Sequence, residues 1–169
     1  PNYTSLKNLW IGDAGPDYWE ITYLFAFINL VSVTERLLIL QITTTNLQGL
    51  NNLQTEGQQG FDQRSIYFMP NLTSLEGLES SESVMGGSFR ITFCPSLTNL
   101  NGLENLTTVN VSKYFTIDNN SNLNDMEGLN CYFFTEEFRN TVPNYTIQES
   151  LYPALLENCE INLSNDNFT

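Results

Sequence analysis

Apolar residues return along this chain at a spacing of about 25 residues. The segment 89–103 reads FRITFCPSLTNLNGL, and the segment 115–129, displaced by 26 residues, reads FTIDNNSNLNDMEGL. The segment 64–78, RSIYFMPNLTSLEGL, lies 25 residues before the first of these, and a shorter copy, LILQITTTNLQGL, occupies 38–50. Several positions match at once across these copies, and this indicates a protein built from stacked repeats.

Each repeat has the pattern of a short strand followed by a turn and a corner. Apolar and polar residues alternate in the strand, and we expect Ile91 and Phe93 to face inward. A Leu-x-x-Leu segment and a Gly-Leu pair follow, and the glycine permits a corner that a Cβ would obstruct. Neighbouring coils must cover each other's leucines, so the pattern predicts a mostly β solenoid of about four to five coils. The alternative is a leucine-rich repeat horseshoe, with Cys94 and Asn120 at the Asn/Cys position of that repeat.

The repeats divide a single domain, residues 1–169, into three parts. Residues 1–25 form an N-terminal cap or partial coil, and residues 26–130 hold the repeats. Residues 131–169 lack the repeat, and the patterns of 131–142 and 150–159 predict short helices in a C-terminal cap, ahead of a polar tail. Such a cap would shield the last coil and its unpaired strand edge.

One face of the predicted sheet is a candidate binding surface. The polar members of the alternating strands should point outward at equivalent places in successive coils, with the residues beside them, Arg64 among them, on their flank. A flat sheet face of this kind can dock a protein partner or a glycan, and an ordinary solvated surface is the alternative. The candidate residues are Gln41, Tyr67, Arg90, Thr92, Thr116 and Asp118.

The segment SLTNLNGLENLTTV, preceded by FRITFCP and followed by FTIDNNSNLNDMEGL, resembles the receptor L domain. This is the leucine-rich β-solenoid of insulin-receptor-like and epidermal-growth-factor-receptor-like ectodomains, with relatives in microbial surface proteins. The resemblance covers about residues 26–131 and implies a right-handed β-helix, an extracellular location, and binding to proteins rather than catalysis. The usual N-terminal helix and its disulfide partner are not evident, so the resemblance does not imply receptor signalling.

Composition narrows the possible chemistry. Nineteen acidic and six basic residues give a formal net charge of −13, and histidine is absent. The charge argues against nucleic-acid binding, which needs a basic surface. The missing histidine removes the Ser-His-Asp triad, the Cys-His dyad and histidine-ligated zinc. We therefore expect a non-enzymatic domain with no catalytic residue, no cofactor and no metal. The most apolar stretch, 23–31, is too short to cross a bilayer, so we expect no membrane insertion.

Asparagine occurs 22 times, and eight of these residues open an Asn-x-Ser/Thr acceptor sequence for N-glycosylation. About four such sequences would be expected by chance, and the excess is typical of a secreted glycoprotein. Asn119 aligns with the strand position expected to face inward, so it is the acceptor least expected to carry a glycan. The other expected acceptors are Asn2, Asn71, Asn105, Asn110, Asn144, Asn162 and Asn167.

The chain has three cysteines. Cys131 and Cys159 bracket the C-terminal segment, and we expect them to form a disulfide. Cys94 is left over, and the sequence leaves two alternatives for it: a buried thiol or a disulfide between subunits.

Together these features predict an extracellular or cell-surface, N-glycosylated, non-enzymatic module that makes protein–protein contacts. In the first version it is a structural subunit of a surface layer or fibre that associates with itself, since solenoid ends favour stacking. In the alternative it is a ligand-binding module of a receptor-like or adhesion ectodomain, with glycan contacts also open.

Overall fold

The computed structural model describes residues 4–13, 15, 17, 19–56 and 63–159. Seven strands form one sheet with parallel neighbours throughout. They are β1 (Ser5–Ile11), β2 (Ser32–Leu40), β3 (Thr55–Glu56), β4 (Gln63–Tyr67), β5 (Ser83–Thr92), β6 (Thr108–Asp118) and β7 (Asn144–Ile147). The helical segments are short: 3₁₀ turns at Phe25–Phe27, Cys131–Phe134 and Glu149–Leu151, and the α-helices α1 (Glu136–Arg139) and α2 (Tyr152–Asn158).

Successive coils place equivalent residues in register. Ile39, Ile66, Ile91, Ile117 and Ile147 pair in turn across β2, β4, β5, β6 and β7, and all five are buried. The leucines of the repeats form further buried columns beside this one, because each coil covers the apolar interior of the next. The chain is therefore a mostly β solenoid of about five turns, as the repeat predicted. The coils also pair through a second, short ladder that runs from β3 to the first half of β5 and on to the first half of β6. This second ladder favours the solenoid over the horseshoe alternative.

The corner that recurs in successive coils depends on glycine. Gly77 has a φ of +110°, and a Cβ added there would lie 2.0 Å from the carbonyl oxygen of Leu47 in the preceding coil. Gly102 repeats this relationship with Leu75 at 2.2 Å. Only a residue without a Cβ lets neighbouring coils approach this closely in a left-handed conformation.

The turn that ends each strand overturns the expected inward orientation of Phe93 and Asn119. Gln41, Phe68, Phe93 and Asn119 occupy equivalent places, and each has a positive φ between 52° and 58°. A left-handed residue interrupts the alternation of side chains in an extended strand. Phe93 was expected inward but is 37% exposed, Asn119 is exposed, and Phe68 is half-buried.

The N-terminal segment contributes a full strand to the sheet. β1 pairs with β2 from Ser5 to Ile11, and Trp19 forms an isolated parallel bridge with Ile42. The segment predicted as a cap or partial coil thus includes the first rung of the solenoid. In the described part of the chain, β1 stands at one end of the strand order.

The C-terminal segment forms short helices, as predicted, and also a strand that the sequence did not indicate. α1 and α2 lie within the predicted ranges, while β7 pairs with β6 and adds a further rung. Cys131 and Cys159 form the expected disulfide. Among the described residues, no helix is both long and apolar enough to span a bilayer.

Candidate binding surface

The structure places five of the six candidate residues on the same outer face of the sheet. Tyr67, Thr92 and Asp118 share one row across β4, β5 and β6. Arg90 and Thr116 pair with each other two residues earlier along β5 and β6, so they project from that same face.

Two members of the candidate set differ from expectation. Leu40, not Gln41, pairs with Tyr67, so Gln41 stands one place further along, in the left-handed turn row. Its side-chain amide donates a hydrogen bond to the carbonyl of Gly15 at 3.0 Å. Thr92 was expected to be available at the surface, yet it is only 6% exposed between Tyr67 and Asp118 of the neighbouring strands.

Aromatic rings gather where this face meets the turn row. The ring centroids of Tyr67 and Phe68 are 4.2 Å apart, those of Phe68 and Phe93 are 4.7 Å apart, and those of Tyr67 and Phe93 are 5.5 Å apart. Offset and edge-to-face contacts of this kind hold rings in fixed orientations. The cluster is therefore a preformed apolar surface, and Phe93 is its most exposed member.

A cation–π pair lies next to this cluster on the same face. The guanidinium carbon of Arg90 is 4.1 Å from the ring centroid of Tyr114, which comes from the neighbouring strand β6 and is 37% exposed. The stacked ring limits the motion of the guanidinium while its edge remains available for hydrogen bonds.

Trp10 extends the face to the first strand. It pairs with Leu38 of β2 and is 62% exposed. Leu38, Ser65 and Arg90 continue the same row. With strands about 4.8 Å apart, Trp10 and Arg90 are separated by three strand spacings, about 14 Å. We call Trp10, Tyr67, Phe93, Arg90 and Tyr114 the aromatic face.

Sequence reasoning missed Trp10, Phe93 and Tyr114 as surface residues. Alternation alone predicts an interior position for Phe93, whereas the left-handed turn places its side chain at the surface. Trp10 and Tyr114 lie outside the best-matched part of the repeat. The strand register shows their places, because Trp10 pairs with Leu38 and Tyr114 pairs with Ser88.

The N-terminal end of the solenoid carries a second exposed apolar surface. The rings of Tyr23 and Phe25 stack with centroids 5.7 Å apart, and these side chains are 74% and 58% exposed. Large exposed apolar patches in water mark contact surfaces. We call this surface the N-terminal end patch; its members are Trp19, Tyr23, Phe25, Ile28 and Val31.

Four of the predicted glycan acceptors, Asn71, Asn105, Asn110 and Asn144, are exposed. Asn119 is exposed too, so the inward orientation that set it apart is wrong; its side chain donates a hydrogen bond to Asp118 at 2.7 Å. Asn2, Asn162 and Asn167 lie outside the described residues. Glycan occupancy at every site stays a prediction.

Cys94 is a free thiol with no exposed surface. Burial raises the pKa of this thiol to about 12, and its Sγ donates to the carbonyl of Thr92 at 3.5 Å. Of the two alternatives, the structure has the buried thiol, because an intersubunit disulfide needs an accessible sulfur. The next rungs use amides at this place: Asn120 accepts from the Cys94 N–H, and Gln148 accepts from the Asn120 N–H.

In the described residues, no group of three or more histidine, cysteine, aspartate or glutamate side chains is placed to hold a metal ion. Comparison with protein families, with curated protein sequences and with solved structures finds no match to this chain.

Proposed function

We propose that this chain is an extracellular, N-glycosylated protein-binding module that engages its partner through the aromatic face. The observation that carries the proposal is the array of Trp10, Phe93, Tyr114 and Arg90 on one face of the sheet. Tryptophan, tyrosine and arginine are the residues that most often dominate binding energy at protein interfaces. A rigid β-solenoid holds them at fixed spacings, so little ordering entropy is lost on binding. We propose no catalytic role.

Two features support an extracellular location. Disulfides such as Cys131–Cys159 persist in oxidising compartments and are rare in reducing ones. N-glycan acceptor sequences are used in the secretory pathway, and five of their asparagines are exposed on the surface. The resemblance of the repeat to the receptor L domain supports the same location and the same class of function.

Glycosylation is tested separately from binding. The chain is secreted from a glycosylating host, and its glycopeptides are mapped by mass spectrometry before and after enzymatic glycan removal. We expect occupancy at Asn71, Asn105, Asn110 and Asn144, because these residues are exposed. Secreted protein with no glycan at any of these four positions would contradict this part of the proposal.

Binding is tested with the secreted chain, made multivalent and screened against an array of secreted and cell-surface proteins from the source organism. We expect at least one partner whose binding falls about tenfold or more with Trp10→Ala and with Arg90→Gln. The control is Leu156→Ala, which removes a 48% exposed apolar side chain from α2, away from the aromatic face. Equal loss with all three variants, or no loss with any, would contradict the proposed surface.

A second candidate is a structural subunit of a surface layer or fibre, as the first version of the sequence hypothesis had it. The N-terminal end patch favours it, because the terminal coils of a solenoid need a polar or covered outer surface. β1 also stands at the end of the strand order there, and an open strand edge can pair with another chain. Mass measurement over a concentration series tests this candidate. Oligomers that disappear with Tyr23→Ser and Phe25→Ser support it, and a monomer at every concentration contradicts it.

A further inference from the structure

The charges of this protein are divided between the sheet and the remainder of the chain. Five of the six basic residues lie in strands, one each in β1, β2, β4, β5 and β6. Of the nineteen acidic residues, those same five strands contain two, Glu35 and Asp118. The five strands are thus net positive in a chain whose formal charge is −13. The five basic residues are Lys7, Arg36, Arg64, Arg90 and Lys113.

The described basic side chains are close to the aromatic face. Arg36 and Arg90 lie on alternate outward rows of the sheet, with β4 between their strands, and Arg36 is exposed. Lys7 is 81% exposed, and its ammonium lies 3.8 Å from the carboxylate of Glu35. Lys113 is exposed beside Tyr114. The aromatic face is therefore flanked by cations at both ends of the sheet.

Two acidic side chains bind backbone N–H groups at the glycine corners of the coils. Both carboxylate oxygens of Glu79 accept from the Gly77 N–H, at 3.0 and 2.9 Å, and Glu104 makes the same contacts with Gly102. Along the chain these corners stand about half a coil away from Arg90. These two carboxylates are thus held by backbone N–H groups away from Arg90, whereas Asp118 and Glu35 are the acidic residues of the five strands.

The glycan acceptors lie around the aromatic face, and two of them border it: Asn119 follows Phe93 in the turn row, and Asn144 pairs with Tyr114. Asn71 lies in the turn after β4, and Asn105 lies next to the corner, where its amide donates to the Glu79 carbonyl at 2.7 Å. Asn110 is on the first half of β6, where the strand pairs with Met85 of β5. Asn144 stands at the β7 edge, paired with Tyr114. A partner could therefore reach Arg36 and Arg90 without displacing a glycan in the middle of the sheet.

We propose that the partner presents an acidic protein segment to the aromatic face, with carboxylates on Arg36 and Arg90 and apolar side chains on the rings. This inference rests on the proposed function and adds the chemistry of the partner to it. A guanidinium binds a carboxylate through two parallel hydrogen bonds, and the Tyr114 ring holds Arg90 in place for that contact. The remainder of the molecule repels acidic partners, so attraction is confined to this face, and complementary charge fixes the docking orientation.

The experiment is a random-peptide display selection on the immobilised, secreted, glycosylated chain. We expect the enriched peptides to combine aspartate or glutamate with apolar residues, and to lose about tenfold or more in affinity with Arg36→Gln/Arg90→Gln. The matched control is Asn122→Asp/Asn124→Asp, which changes the net charge by the same amount at exposed positions in another turn. Thermal unfolding monitored by circular dichroism verifies that both variants fold.

The remaining outcomes distinguish a failure of this inference from a failure of the proposed function on which it rests. Neutral or basic peptides that still depend on Trp10 would overturn the acidic partner and leave the binding face standing. Acidic peptides that bind the Arg36→Gln/Arg90→Gln variant unchanged would also overturn it. Retention of the protein on heparin beads through these arginines, with no acidic peptide enriched, would assign the face to a sulfated polysaccharide instead. Peptides insensitive to Trp10→Ala, or no enrichment at all, would contradict the proposed function itself.

Discussion

The guanidinium of Arg90 lies over the ring of Tyr114, 4.1 Å from its centroid, across the pairing of β5 with β6. Two residues from adjacent coils thus form one unit at the surface of the sheet. The pair joins the fold to the proposed function, because the same stacking that links the strands also orients the charged group.

We predict that Tyr114→Leu lowers the free energy of unfolding by about 0.5–1 kcal/mol, the usual strength of an exposed cation–π contact. A double-mutant cycle with Arg90→Gln, measured by urea unfolding, isolates the interaction from the lost apolar area. A coupling energy near zero would show that the stacking of Arg90 on Tyr114 does not stabilise the fold.

The corner glycines give the sharpest test of coil packing. Gly77→Ala is predicted to cost more than about 3 kcal/mol, because the new Cβ would meet the Leu47 carbonyl at 2.0 Å in a left-handed conformation. The control is Gly15→Ala, where the nearest atom is 3.8 Å away and a change within about 0.5 kcal/mol is expected. Chemical denaturation of both variants measures the difference, and equal stabilities would contradict the packing.

The C-terminal cap is fastened by the disulfide between Cys131 and Cys159, which are 28 residues apart. We predict that Cys131→Ser/Cys159→Ser lowers the free energy of unfolding by about 3–4 kcal/mol, through the larger entropy of the unfolded chain. Because the loop spans β7, α1 and α2, amide exchange should rise there more than in β2 or β5. Uniformly unchanged exchange would contradict a capping role.

Cys94 predicts a pH dependence of stability. Burial raises the pKa of its thiol from 9.0 to about 12, so the unfolded chain releases this proton first as the pH rises. The folded state therefore loses stability progressively from about pH 9 towards pH 12. We expect urea unfolding, measured before thiol–disulfide exchange sets in, to show a smaller decline above about pH 9 for Cys94→Ala than for the native chain.

The contribution of Cys94 to this pH dependence can be separated from the contributions of other titrating groups. Burial also raises the pKa of Tyr152, but that residue is present in both proteins, so its contribution cancels in the comparison. Parallel declines of the two proteins would mean that the Cys94 thiol ionises freely in the folded state.

The sequence predicts the solenoid because only a few residue types can fill the interior of each coil. Leucine, isoleucine and Gly-Leu recur where each coil must fill the same space, and these positions appear as the buried columns. It does not predict the direction of Phe93 or Asn119, because the left-handed turn is a property of the backbone path and leaves no trace in hydrophobic alternation. β7 is not predicted because no Gly-Leu corner follows it, although Thr146 and Ile147 match Thr116 and Ile117 of β6.

The candidate site was predicted in part for the same reason. Tyr67, Arg90, Thr116 and Asp118 share a face because strand alternation is reliable in the middle of β4, β5 and β6. Gln41 was placed one residue off because the copy at 38–50 is shorter than the others. Burial of Thr92 depends on neighbouring coils, which a single repeat does not reveal.

Amide hydrogen exchange of the chain, with and without its partner from the array screen, locates the surface on which the partner binds. We predict that binding slows exchange in residues 88–92 and 114–118, on the strands that carry Arg90 and Tyr114, and leaves residues 19–31 unchanged. Protection confined to residues 19–31, the N-terminal end patch, would contradict a partner seated on the aromatic face.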